Sequence, residues 1–156
     1  MRLVVITLVS AALAGCGGSN ETSSSEPLNA GVCEYELTKQ YLLDNGIGQA
    51  QAEQESGQHE ATLRNDGSFK DAWKTADGSA GSCQGTYSEG DGRLVIFKWT
   101  YGCFGDWEMT YVVEGDTVTW DEIEVLPPYD DDEEQKVAEV FNSVPWTRVG
   151  DTAKED

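Results

Sequence analysis

Between His59 and Val125 the sequence falls into short runs whose apolar residues recur at every second position, joined in pairs by Asn, Asp and Gly. HEATLR and SFKDAWK flank Asn65-Asp66-Gly67, and CQGTYSE and RLVIFKW flank Gly90-Asp91-Gly92. WEMTYVVE and TVTWDEIEV flank Gly115-Asp116. A period of two puts alternate side chains on opposite faces of a strand, and Asn/Asp-Gly pairs accept the positive backbone angles of a tight hairpin. Three such hairpins in succession make an antiparallel meander, to which PWTRV near the end adds a last short strand. About 7–8 strands in one meander leave two open edges, which a barrel removes by closing on itself. The expected fold is mainly β: an antiparallel meander closing into a small barrel.

Short helices are expected at the N-terminal side and before the last strand. Thr38 caps a segment carrying Tyr41, Leu42 and Leu43, with Asn45-Gly46 as its stop, and Gln49 to Glu55 forms a second short piece. After Pro127-Pro128, acidic residues precede Val137, Val140 and Phe141 on one stripe, so the acids complement the dipole of a starting helix. Within the strands, Trp107, Met109, Tyr111 and Val113 share one face. The run RLVIFKW is apolar on both, with Val95, Phe97 and Trp99 alternating with Leu94 and Ile96, and is expected to be covered on both sides.

Residues 1–15, MRLVVITLVSAALAG, carry Arg2 as their only charge ahead of an apolar core. A positive start, a short apolar middle and a small-residue exit describe a secretory signal peptide. The run is shorter than the roughly 20 apolar residues of a membrane-spanning helix. Leu13-Ala14-Gly15-Cys16 resembles the bacterial lipobox. That resemblance implies lipid on the Cys16 thiol, cleavage before Cys16, and a protein exported and anchored to the cell membrane, facing outside. Residues 16–31 are small and polar with nothing to bury, and read as a flexible tether. Residues 32–150 make one barrel domain and 151–156 a disordered tail.

The chain carries 29 acidic against 10 basic side chains, a formal net charge of −19. Such a surface repels phosphate backbones, so nucleic acid is excluded as a partner.

GQHEATLRNDGSF, GTYSEGDGRLVIF, VVEGDTVTW and PWTRV together resemble small bacterial lipoproteins of actinobacterial type with a lipocalin-like (calycin) β-barrel domain. In such barrels a Gly-x-Trp of the first strand often packs beneath an arginine of the last. The resemblance places Gly57-Gln58-His59 at the first position, with His59, Trp146 and Arg148 as the barrel-closing residues. Members of this group generally have no assigned activity, so the resemblance implies fold and location more than chemistry.

With Cys16 taken by lipid, Cys33, Cys83 and Cys103 remain, enough for one intrachain disulfide in an exported protein. Cys103 lies in the loop TYGCFGD just past a strand paired with that of Cys83, which makes Cys83–Cys103 the first candidate. Cys33 is an alternative partner for either. No Cys-x-x-Cys is present and the one histidine is remote from the cysteines in sequence, so neither a metal site nor a cofactor is expected. His59 has two readings: a general base, or a strand residue with its nitrogens hydrogen-bonded. The acidic run from Asp130 to Glu134 lacks the spacing of a calcium loop and is explained more simply as a helix cap. Paired catalytic carboxylates, a phosphate loop and a nucleophile elbow are all missing from the sequence, so no enzyme is expected.

The aromatic residues Trp73, Trp99, Trp107, Tyr111 and Trp120 are the ligand-binding candidates. They either wall a cup for a small hydrophobic ligand or, as their bulk favours in so small a barrel, fill it. The function expected is a cell-envelope binding module for such a ligand. The alternative is a filled barrel serving as a structural or protein-interaction module, through a loop such as TYGCFGDW, with an envelope protein as partner.

Overall fold

The computed structural model describes residues 28–103 and 105–151. The expected signal peptide, Cys16, most of the tether and the tail lie outside the described residues. In chain order the elements are β1 (Gly31–Leu37), α1 (Lys39–Asp44), α2 (Gln49–Glu55), β2 (Gly57–Leu63), β3 (Ser68–Lys74) and β4 (Ala80–Glu89). A short 3₁₀ turn at Asp91–Arg93 leads to β5 (Leu94–Tyr101), β6 (Asp106–Glu114), β7 (Thr117–Leu126), α3 (Asp132–Asn142) and β8 (Trp146–Gly150). The strands pair antiparallel in sequence order, and β8 returns to β1 to close the barrel.

The expected meander is present, together with a strand that the hairpin pattern does not announce. In β1, GVCEYEL, Cys33, Tyr35 and Leu37 are buried while Glu34 and Glu36 are exposed. Its pairing partner β2 is separated from it by two helices rather than by a turn, so no local hairpin signal marks it. A second correction concerns β5. The barrel has a single wall, so Val95 and Phe97 are buried inside while the outward Leu94 and Ile96 are only half-buried and Lys98 is exposed. Cover on both faces would need a second layer. Ile96 pairs in register with Ser88 and Glu108.

The two ends of the barrel differ. One carries the tight connections at 64–67, 90–93 and 115–116; the other carries the long connections containing α1, α2 and α3. Leu28 is buried at the turn end, where its backbone N–H donates to Glu89 Oε1 (2.9 Å) and Tyr111 Oη (3.0 Å). At the helix end Thr38 caps α1 by accepting from Tyr41 N–H, and Tyr41 Oη bonds Val140 O (3.0 Å) and Ser143 Oγ, tying α1 to α3. Asp131 Oδ1 accepts the N–H groups of Glu133 and Glu134, so the acidic run caps α3. Gln135 of α3 then bonds the backbone of β7 at Val125 and Ile123, which fixes the helix against the rim.

Candidate ligand-binding cavity

Alternation along four neighbouring strands brings four rings into one stack across the inner wall. Tyr35 is the register partner of His59, and His59 of Trp73. The ring centroids lie 5.0 Å apart for Trp146–Tyr35, 4.6 Å for Tyr35–His59 and 5.4 Å for His59–Trp73, with interplanar angles of 6°, 22° and 18°. Gly81 makes room for the last of these: a Cβ there would overlap the Trp73 indole. Phe69, on β3 like Trp73, joins them, and β5 and β6 add Phe97, Trp99, Trp107 and Met109, with Phe69 set edge-on to Phe97 and Trp99.

These walls enclose a cavity of about 260 Å³ at the helix end. Helix α2 contributes Gln51, Gln54 and Glu55 to its lining, and α3 contributes Glu134, Val137, Phe141 and Asn142. Trp73 Nε1 donates to Gln54 O (2.8 Å), which holds α2 over the opening. The other half of the barrel is filled: Trp120 packs edge-on against Phe97, Trp146 and Tyr111.

A polar cluster lies within the ring stack. Tyr35 Oη donates to Asp71 Oδ2 (2.7 Å), and His59 Nδ1 meets the same oxygen at 3.1 Å. His59 Nε2 lies 2.9 Å from the carbonyl oxygen of Glu55, which can only accept. The ring therefore presents N–H toward Glu55 O. Its other nitrogen, Nδ1, faces the carboxylate oxygen that also accepts from Tyr35. Burial, then the charge of Asp71 and the hydrogen bond to it, hold the Tyr35 hydroxyl well above its ordinary pKa. Burial raises the Glu55 carboxyl, and Asp71 and Glu134 repel its charge, while Gln51 and His59 oppose the rise. Glu134 is raised by burial and by Asp131 and Glu133.

Of the residues singled out in the sequence, Trp73, Trp99, Trp107, His59 and Trp146 line the cavity, whereas Tyr111 and Trp120 belong to the filled half. Cys83 and Cys103 form a disulfide with Cα atoms 5.3 Å apart, and Cys103 also lines the cavity. Gly102 permits this, since its φ of +83° and its approach to Ser82 O exclude a Cβ. Among the described residues Cys33 is the free thiol, buried opposite Ala61 and Arg148.

The expected pairing of Gly57-Gln58-His59 with Arg148 is not found. These residues start β2 at the helix end, while Arg148 reaches Ala30 O (2.9 Å) and Asp151 (2.7 Å) at the turn end. The glycine beneath the arginine is Gly31 of β1, where a Cβ would come within 3.0 Å of Arg148 Nε.

Sequence reasoning missed Tyr35, Glu55, Asp71 and Glu134. Asp71 had a legible signal, because it occupies the middle inward position of Phe69-x-Asp71-x-Trp73. No family model, curated protein or solved structure matches the chain.

Proposed function

We propose that this chain is a cell-envelope lipoprotein, carried by lipid on Cys16, whose barrel binds one small and mainly apolar ligand at its helix end. The cavity carries the ligand part of this proposal. Protein interiors leave few voids larger than a water, and roughly 10–15 Å³ admits one; this cavity is about 260 Å³ and walled by rings. It is below the roughly 300–1,000 Å³ of drug-sized sites, so the occupant is small. The closed meander is consistent with the lipocalin-like resemblance, and the lipobox resemblance supports the anchor. Because the chain enters beside Leu28 at the turn end, a tether to Cys16 would hold the cavity end away from the membrane. The role is binding rather than catalysis: both ring nitrogens of His59 are engaged, by Asp71 and by Glu55 O, and neither partner is a serine or cysteine among the described residues.

A second reading, docking of an envelope protein, is favoured by Tyr101, whose ring is 68% exposed beside the disulfide loop. Tryptophan fluorescence separates the two. Titration of the full chain with naphthalene, indole and 1-naphthol should give a saturable change that Val137→Trp, which fills the cavity, abolishes. No change with any probe, or the same change in the variant, would favour the docking reading.

A further inference from the structure

The charges on the cavity lining are one-sided. Glu55, Asp71 and Glu134 line it, and among the described residues His59 is the only lining side chain that can carry positive charge, with neither lysine nor arginine contributing. His59 Nδ1 faces Asp71 Oδ2 at 3.1 Å, so any positive charge on His59 is matched by that carboxylate. Asp71 is nine-tenths buried, and its Oδ1 has no hydrogen-bond partner among the described residues. The uncompensated charges are therefore Glu55 on α2 and Glu134 on α3, which approach the same opening from opposite helices. Both are half-buried, and each helix is held in place by its own contacts, Trp73 with Gln54 and Gln135 with β7. Below them lie the rings of Tyr35, Trp73, Trp99, Trp107 and Trp146. A partly desolvated carboxylate pair attracts cations and repels anions, and the rings offer apolar surface to the body of a ligand.

We infer that the ligand is an organic ammonium with a planar apolar body, its head held between Glu55 and Glu134 and its body against the rings. This deepens the binding reading and rests on it. An anionic ligand such as a fatty acid would bring a third charge of the same sign to a rim without a basic side chain, so acidic lipids are excluded as the preferred class. A neutral hydrophobe would leave both glutamates partly desolvated without a cation between them, Glu55 keeping its bond from Gln51 (3.4 Å).

Three probes of one shape decide the matter: 2-(1-naphthyl)ethylamine, 2-(1-naphthyl)ethanol and 1-naphthylacetate, each titrated calorimetrically into the full chain at neutral pH. The ammonium should bind about tenfold or more tighter than the alcohol, with the carboxylate weakest. Glu55→Gln/Glu134→Gln should bring ammonium and alcohol within about twofold while the alcohol's own affinity holds. Because glutamine keeps the shape and removes unfavourable charge, the variant should fold; Glu134→Gln alone, on the helix surface, should give an intermediate preference. Equal binding of alcohol and ammonium, or a preference that survives the double variant, overturns the inference and leaves the cavity reading standing. Failure of all three probes to bind overturns both.

Discussion

The Tyr35 hydroxyl reaches Asp71 across β2, although β1 and β3 are not neighbours in the barrel. Ala61 makes the crossing possible. It is the register partner of both Cys33 and Asp71, and its small side chain leaves the space over which the 2.7 Å bond is made. The bond fixes Asp71 for His59, which in turn ties β2 to the last residue of α2. One buried carboxylate thereby connects three strands to a helix at the cavity opening.

Asp71→Ala should therefore be costly. It leaves Tyr35 Oη and His59 Nδ1 without their acceptor, and breaking a buried charged pair costs about 3–5 kcal/mol. Tyr35→Phe removes one donor and should cost about 1–2 kcal/mol. Urea unfolding midpoints give both values, and equal losses would show that the cluster is not organised around Asp71.

The disulfide spans a sequence separation of 20 residues. Closing a loop of this size constrains the unfolded chain by about 3 kcal/mol, so Cys83→Ser/Cys103→Ser should lower unfolding stability by that order. Cys33 should resist a thiol reagent in the folded protein, because it is buried and burial raises its pKa more than Arg148 lowers it. It should react stoichiometrically in denaturant. Fast modification of the folded chain would contradict its placement.

The raised glutamates set a pH dependence. A carboxyl whose folded pKa exceeds its unfolded value contributes stability in full below the unfolded value and loses it as pH rises through the folded one. Glu55 and Glu134 should thus make the protein less stable at pH 7 than near pH 4.5, with Glu55→Gln flattening that slope and raising stability at pH 7. Asp66 and Asp77, lowered by hydrogen bonds from their own turns, act in the opposite sense and at lower pH. Thermal melts of wild type and variant across pH 4 to 8 measure the difference. A steeper slope in Glu55→Gln would contradict the assignment.

Cys16→Ser should move the chain from the membrane fraction of its native host to a soluble or uncleaved form. It should also remove a mass increment equal to the attached acyl groups. An unmodified Cys16 in the membrane fraction would exclude lipidation.

Most of the wall was legible because it is built from local signals. The hairpins β2–β3, β4–β5 and β6–β7 each carry their own turn and their own period of two, so neither distant contacts nor burial needed to be known. The strand β1 escaped because its partner lies beyond two helices, and with it went Tyr35, which positions Asp71. The tryptophans were visible as inward residues. Which of them line a cavity and which fill the barrel depends on the end at which the helices sit, and that is a property of the closed form. The glutamates looked like two among 29 acids until α2 and α3 were placed over one opening.

Native mass spectrometry of the processed protein purified from its native host tests the central claim most directly. The account predicts a fraction carrying one small bound molecule, released on unfolding and missing from Val137→Trp prepared in the same way. An apo mass alone in wild type and variant alike, with no fluorescence response to any probe, would contradict it.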